Sequence, residues 1–145
     1  MEIDQKKLWN FVQNNMEQSR ILVVGDVMLD KYYYGEVTRI SPEAPVPVTH
    51  VTSTKETLGG AANVAHNLAL LGCQTGIAGF VGDDYHCQSL LDKFTARGID
   101  YRGIIYTEAP TTTKLRVVGG HQQMLRLDFE ETAPVDEPYA SRYLN

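Results

Sequence analysis

Apolar residues in the first two thirds of the chain follow the pattern of alternating buried strands and helices. Residues 21–24 form a short, continuous apolar run, which predicts a strand that is buried on both faces. Helices are predicted over residues 61–71 and 85–97, and the segment 75–81 predicts a strand between them. Gly72 is expected to close the first of these helices as its C′ residue. This alternation predicts βαβ units in a parallel sheet, and therefore an α/β fold.

Two further segments are β-prone, and the second of them carries prolines. They cover about residues 32–37 and 45–52 and are separated by the proline-containing stretch 41–45. Because proline cannot donate a hydrogen bond to a neighbouring strand, such strands belong at sheet edges and make poor central strands. We therefore expect them to form a small β lid that stands off the main body.

Beyond residue 110 the apolar period changes to two. Residues 111–118 and 122–129 are predicted to be the strands of a hairpin that turns at the glycine pair 119–120. Successive side chains of a strand point to opposite faces, so Lys114 and Arg116 are expected on the same face of the first strand.

The two ends of the chain are expected to lie outside the main domain, which is assigned to residues 21–131. Asp4 is placed to cap a helix within residues 1–20. The apolar residues of this helix recur at helical spacing and are Leu8, Phe11, Val12 and Met16. The acidic, proline-containing segment 132–145 is assigned to a truncated end.

Composition excludes several classes of protein. The 145 residues, 43% of them hydrophobic, suffice for one globular domain with its own core. The formal net charge of −5 argues against nucleic-acid binding, and no apolar run approaches the roughly 20 residues of a membrane helix. The polar N-terminus has no apolar signal-peptide region, so we expect a cytoplasmic protein that does not associate with membranes. Cys73 and Cys87 are predicted to be buried thiols, and the four scattered histidines predict no metal site.

Candidate binding residues gather around a glycine pair at the start of the first predicted βα helix. Gly59 and Gly60 permit a sharp bend and the close approach of a ligand, and Asn63 offers donors and an acceptor to a polyol. Asp26 and Asp30 follow the first predicted strand, where open α/β sheets bind ligands, and both can accept hydrogen bonds from sugar hydroxyls. The alternatives are that the glycines form only a strand-to-helix turn and that Asp26 only caps a turn.

The two cations on the predicted hairpin suit a phosphorylated sugar. Arg116 can match a phosphate with two hydrogen bonds, and Lys114 supplies a point charge. The alternative is a solvated face, or an ion pair with Asp128 across the hairpin. Arg126 is a weaker candidate, because Asp128 shares its face. The tyrosines at 32–34 alternate faces, so at most two of them can line one site.

Glycines at fixed distances connect these residues to a known family. Six residues separate Ala65 from Gly72, and nine separate Gly72 from Gly82. Together with the glycine pair and Asn63, this spacing resembles the N-terminal signature of the ribokinase-like (PfkB) carbohydrate kinases. From residue 21 to about 131 the chain also resembles the bacterial heptose-7-phosphate kinases, which in many bacteria form the first domain of a bifunctional protein of ADP-heptose synthesis. The segments that carry this resemblance are 25–30, 39–48, 59–65, 113–117 and 125–130, and the string Ile-Ser-Pro-Glu-Ala-Pro-Val-Pro-Val at 40–48 is the most specific.

The resemblance implies a ribokinase-like three-layer sandwich, of which this chain holds the N-terminal part, with a small β lid through which two copies form a homodimer. It implies transfer of the γ-phosphoryl group of ATP to O1 of D-glycero-D-manno-heptose 7-phosphate, a step towards ADP-heptose and the lipopolysaccharide core. Carried over to this chain, the sugar-binding residues are Asp30, Gly59, Gly60 and Asn63. Assigning the 7-phosphate to the two hairpin cations is our own inference from charge and strand parity.

One motif of this family is absent from the chain. The C-terminal half of the family carries Gly-x-Gly-Asp, in which the Asp is the catalytic base and the glycines bind an anion at a helix N-terminus. Residues 79–83, Gly-Phe-Val-Gly-Asp, have the wrong spacing. We therefore expect no catalytic residue here, contacts to ATP and Mg²⁺ mainly in the absent half, and no turnover by this chain alone.

Two alternatives for the function stay open. One is another PfkB-family sugar kinase with a different acceptor, and the other is a sugar-binding or dimerisation module without catalysis. A dinucleotide-binding domain is disfavoured, because residues 25–30 lack the G-x-G-x-x-G spacing.

Overall fold

The computed structural model describes residues 4–132 together with Tyr139 and Ser141. Residues 1–3 of the predicted N-terminal segment, and most of the predicted end at 132–145, lie outside the described residues. The elements of the described part are, in chain order, α1 (Gln5–Asn14), a 3₁₀ turn (Met16–Gln18), β1 (Arg20–Val24), β2 (Val27–Ile40), β3 (Pro47–Gly59), α2 (Gly60–Leu70), β4 (Gln74–Gly82), α3 (Tyr85–Ala96), β5 (Asp100–Thr107), β6 (Thr113–Gly119) and β7 (Gln122–Phe129).

Strands β1, β4 and β5 form a parallel sheet in the order β1-β4-β5, which confirms the predicted α/β arrangement. Helices α2 and α3 pack on the face that carries Ile77 and Val81 of β4, where Phe94 of α3 is fully buried. We call this unit, the sheet with its two helices, the body. The apolar pattern does not predict β5, in which only Ile104 and Ile105 form an apolar run.

The prediction that β1 is buried on both faces is wrong for the described residues. Val23 packs against the core, but Leu22 is 64% exposed and Val24 is 67% exposed. Successive side chains alternate between the faces of a sheet, and the described helices cover only one face. The outward side chains of β1 therefore remain in contact with solvent.

A second sheet contains the β-prone segments and has the strand order β3-β2-β6-β7. We call this sheet the lid. Its strands β2 and β3 extend well beyond the predicted 32–37 and 45–52, and β2 pairs with β3 on one side and with β6 on the other. The expectation that both segments make poor central strands is therefore wrong for β2. Pro47 begins β3, which has an edge position in the described sheet, as proline requires.

The predicted hairpin is confirmed as β6 and β7. These strands pair antiparallel from Thr113 opposite Phe129 to Gly119 opposite Gln122. Gly120, with φ of 62°, occupies the turn in the left-handed conformation that favours glycine. The hairpin joins the lid because β6 runs parallel to β2.

The helix near the N-terminus is also confirmed. The Asp4 side chain caps α1 by accepting hydrogen bonds from the backbone N–H groups of Lys6 and Lys7. Met16, which was expected on this helix, lies in the following 3₁₀ turn. None of the residues of α1 is buried in the described part of the chain.

The core of the body reaches the lid at the beginning of β2. Val27 and Leu29 of β2 and Leu58 of β3 are buried together with the apolar residues of α2 and α3. Both cysteines are buried free thiols, as predicted. Among the described helices, none combines the length and apolar character needed to cross a membrane.

Candidate functional site

Asp26 and Asp30, expected together at the carboxyl end of the first strand, lie in different places. Asp26 does follow β1 directly, and its side chain is exposed. Its backbone carbonyl accepts a hydrogen bond from Ala61 N at 2.9 Å, which ties this corner to the start of α2. Asp30 lies inside β2, opposite Thr57 of β3. The first strand ends before Asp30. Its carboxylate therefore belongs to the root of the lid, the part of β2 and β3 that adjoins the core at Val27, Leu29 and Leu58.

The glycine pair lies directly against these two residues. A Cβ atom on Gly59 would stand 2.6 Å from Oδ2 of Asp30 and 2.9 Å from Cγ of Met28. Gly60 has φ of 54°, a conformation that residues with a Cβ rarely adopt. The turn from β3 into α2 therefore depends on glycine, and its lack of side chains leaves the Asp30 carboxylate room at the mouth of the helix.

Asn63 lies in the first turn of α2, three residues after Gly60, and its side chain is exposed. The N-cap residue of α2, Gly59, provides no side-chain hydrogen bond to the helix. The backbone N–H groups of a first helical turn have no partners within the helix, and they carry partial positive charge. The Asp26 carbonyl occupies the N–H group of Ala61, so Asn63 and the other N–H groups of this turn form the polar surface next to the glycine pair.

Arg116 contacts Asp30 directly, although 86 residues separate them. Its Nη1 donates to Oδ1 of Asp30 at 2.5 Å, and both side chains are mostly covered, with 22% and 17% of their surfaces exposed. The guanidinium also lies 5.2 Å from the centre of the Tyr32 ring, which stacks on Tyr34. The hydrogen bond to Asp30 raises the pKa of Arg116, so the group is a permanent cation.

Lys114 adopts the arrangement that was the alternative to phosphate binding. Its Nζ donates to Glu130 at 2.8 Å and to Asp128 at 3.3 Å. The hydrogen bond to Glu130 and the one to Asp128 raise the pKa of Lys114. Arg126 also contacts Asp128, through Nε at 2.9 Å from Oδ1. Strand parity thus placed the two hairpin cations on the correct face, and carboxylates partly neutralise both of them.

A second charged cluster, on the opposite face of the lid, was not predicted. Glu56 of β3 accepts a hydrogen bond from Ser89 of α3 at 2.5 Å, and it pairs with Lys31 at 3.0 Å. Burial raises the pKa of Glu56, but the hydrogen bonds from Ser89 and Lys31 outweigh burial and hold this pKa below its ordinary value. The sequence does not show this cluster, because Lys31 and Glu56 meet only when β2 pairs with β3. The hydrogen bond from Ser89 of α3 then connects the lid root to the body.

A groove of about 470 Å³ lies at the amino ends of the body strands, lined in part by Arg20, Gln74 and Asp100. Parallel α/β sheets bind their ligands at the opposite, carboxyl edge. This groove is therefore separate from the candidate site around Asp30.

The described residues contain no group of three or more His, Cys, Asp or Glu side chains that could hold a metal ion. Mg²⁺ takes octahedral oxygen ligands, usually one or two carboxylates with water and phosphate oxygens. No described residue is assigned to the ion.

Comparison with known proteins adds independent evidence. Residues 18–138 match the pfkB family carbohydrate kinases. The chain is 52% identical over 135 residues to bifunctional protein HldE of Magnetococcus marinus, which covers 92% of this chain and 28% of that protein. It is 51% identical over 117 residues to bifunctional protein HldE of Chromohalobacter salexigens, covering 81% of this chain and 25% of that protein. The chain thus spans about a quarter of the length of these relatives.

The fold is shared with solved structures. A carbohydrate kinase from Agrobacterium tumefaciens superposes with a TM-score of 0.61 at 22% identity, over 76% of this chain and 35% of that chain. The likeness supports a partial ribokinase-like sandwich, of which the described residues supply the parallel sheet, the helices on one face and the lid.

Proposed function

The chain belongs to the pfkB family of carbohydrate kinases, and on that basis we propose that it is the acceptor-binding part of a heptose-7-phosphate kinase. The proposed reaction moves the γ-phosphoryl group of ATP to O1 of D-glycero-D-manno-heptose 7-phosphate, giving the 1,7-bisphosphate for ADP-heptose and lipopolysaccharide core synthesis in the cytoplasm. The relatives named HldE support this choice over other sugar kinases, because they match the chain at about half of its positions.

One observation carries the proposal: the Asp30 carboxylate, the glycine turn and a cationic strand meet at the root of the lid. Gly59 adjoins Asp30, and Asp30 contacts Arg116. A sugar phosphate needs acceptors for its hydroxyls and cations for its phosphate within the length of one small molecule. This junction between lid and body offers both.

The residues are assigned as follows. Asp30 accepts hydrogen bonds from sugar hydroxyls, and Asn63 adds donors and an acceptor beside the helix N-terminus. Gly59 and Gly60 let the sugar approach the backbone closely. The charges of Lys114 and Arg116 face the 7-phosphate, and Asp26 borders the site at the end of β1.

Before the sugar binds, Nη1 of Arg116 lies 2.5 Å from Oδ1 of Asp30. Binding then exchanges part of this ion pair for contacts with the ligand, since hydroxyls hydrogen-bond the carboxylate and phosphate oxygens attract the guanidinium. The pair keeps both groups oriented before the sugar arrives, which lowers the cost of ordering them on binding. ATP is the proposed donor with Mg²⁺, and none of the described residues is assigned to either.

We also propose that two copies associate through the lid. One face of β7 presents three large apolar side chains that are at least 41% exposed, namely Leu125, Leu127 and Phe129. A contiguous exposed apolar patch of this kind marks an interaction surface.

Sedimentation velocity tests the association. We expect the wild type to sediment as a dimer and Leu127→Asp to sediment as a monomer. A wild-type monomer at high concentration would contradict the proposal.

Titration calorimetry tests the substrate assignment. We expect the chain to bind D-glycero-D-manno-heptose 7-phosphate more tightly than ribose or fructose 6-phosphate. Asp30→Asn should weaken binding about tenfold, since a charged acceptor is replaced by a neutral amide. Tighter binding of ribose or of fructose 6-phosphate would assign the chain to a different acceptor.

A further inference from the structure

We propose that Arg126 joins Arg116 in a two-arginine clamp for the sugar phosphate, an inference that rests on the proposed function. The two arginines are direct cross-strand partners of β6 and β7. Directly opposed side chains on antiparallel strands have Cβ atoms about 4.5–5.5 Å apart, and like charges at such positions destabilise a sheet. An anion bound between the two guanidinium groups removes this repulsion.

Each arginine is oriented by a carboxylate that engages only one of its nitrogens. Arg116 donates from Nη1 to Asp30, and Nε of Arg126 forms an ion pair with Oδ1 of Asp128 at 2.9 Å. A guanidinium carries five N–H donors on three nitrogens. The remaining nitrogens have no hydrogen-bond partner within the described residues, so they are available to a phosphate in two-bond geometry.

Arg102 in the body provides a local comparison for Arg126. It also pairs with an aspartate two positions away, but its Nε and Nη2 both bind Asp100 and contact both carboxylate oxygens. The side chain of Arg126 is 53% exposed and uses Nε alone. Arg126 therefore keeps both Nη1 and Nη2 outside its local Asp pair, whereas Arg102 keeps only Nη1 outside its own.

The register of the lid also gives the orientation of the ligand. Asp30 is paired with Lys114, whereas Tyr32 is paired with Arg116 two positions further towards the lid tip. The Asp30 row adjoins the glycine turn, where the sugar hydroxyls bind. The row that holds Arg116 and Arg126 lies two residues further from the start of α2. The phosphate end of the sugar therefore points towards the lid tip, where β2 ends at Ile40. Lys114, held by two carboxylates, positions Asp128 and adds charge.

The test is titration calorimetry of the 145-residue chain with D-glycero-D-manno-heptose 7-phosphate and with the unphosphorylated heptose. Arg126→Gln should lower the affinity for the phosphorylated sugar about tenfold, as expected for one lost charge-assisted contact, and leave the affinity for the other sugar unchanged. Arg126→Lys should recover part of the loss, because lysine keeps the charge but not the planar fork. Arg102→Gln is the matched control and should change neither affinity.

Three outcomes separate the hypotheses. A selective loss in Arg126→Gln supports the clamp. If the wild type prefers the phosphorylated sugar and Arg126→Gln binds it equally well, the clamp is wrong while the proposed function stands. If the wild type shows no preference for the phosphorylated sugar, both the proposed function and the clamp are overturned.

Discussion

The body and the lid of this chain each contain a β-sheet, yet different interactions hold the two regions together. In the body, apolar side chains of β4, α2 and α3 form a closed core in which Phe94, Ile77 and Leu90 have no exposed surface. In the lid, every residue of β7 is exposed, and the strands are joined by backbone ladders and ion pairs such as Arg116 with Asp30. The lid shares the apolar core only at its root, through residues such as Leu29.

This difference concentrates the apolar stabilisation in the body and leaves charged groups accessible in the lid. Buried apolar area stabilises a fold without chemical specificity. Partly exposed ion pairs contribute little net stability, but their charged groups can exchange partners with a ligand. The candidate site lies where the two regions join, so rigid groups of the body and exchangeable groups of the lid meet there.

The largest expected effect is the loss of a core aromatic residue. Phe94→Ala should lower the free energy of unfolding by about 3–5 kcal/mol, because it removes buried apolar surface and leaves a cavity. Leu127→Ala on β7, which is already 41% exposed, should cost less than about 1 kcal/mol. Urea unfolding of both variants measures the contrast. Equal losses would show that the lid carries a core of its own.

Gly59→Ala should have the next largest effect, and it acts on both regions. A Cβ at this position stands 2.6 Å from the Asp30 carboxylate, so the carboxylate must move. Overpacking of this kind costs about 1–3 kcal/mol, and sugar affinity measured by calorimetry should fall with it. Gly25→Ala is the control, because its Cβ meets only Ala61 Cβ at 3.4 Å. Unchanged affinity in Gly59→Ala would place the sugar away from Asp30.

The smallest effect is expected at the Glu56 cluster, which fastens the lid to the body. Because the pKa of Glu56 is held below its ordinary 4.5, its stabilising contribution is complete above that pH and is lost as the pH falls through the lower folded pKa. Glu56→Gln should cost about 1 kcal/mol at neutral pH and flatten the stability profile below pH 4.5.

Thermal unfolding between acid and neutral pH checks this prediction. Glu36→Gln, an exposed position on β2, serves as the control and should keep the wild-type profile. A Glu56→Gln profile as steep as that of the wild type would mean that the cluster does not couple lid and body.

Much of the fold follows from local sequence signals. An apolar period of 3.6 residues in helices and of two in strands, with glycines at the ends of elements, predicts four features close to their observed bounds. These are α2, α3, β4 and the hairpin β6–β7. The wrong predictions concern contacts between a strand and parts of the chain that are distant in sequence. The apolar run of β1 does not show that one of its faces stays exposed, and the prolines around β3 do not show that β2 has partners on both sides.

The candidate site shows the same contrast between local sequence signals and contacts distant in sequence. Parity placed Lys114 and Arg116 on one face because a strand alternates regardless of its neighbours. The pairing of Arg116 with Asp30 depends on the parallel register of β2 and β6, which no local pattern specifies. Asp30 was proposed both from its position after the first predicted strand and from the family resemblance, but it lies inside β2, so the strand-end argument holds only for Asp26.

Strand β2 has a mechanical consequence, since it runs from the buried core to the lid tip, with register irregularities against β3 at Tyr34/Gly35 and at Val37/Arg39. At about 3.3 Å per residue, its 14 residues span roughly 46 Å. A tilt of about 10° at Leu29 therefore displaces Ile40 by several ångströms, with the displacement growing in proportion to the distance from the root. Since the root of β2 is fixed among apolar side chains, a small adjustment there would be magnified at Ile40.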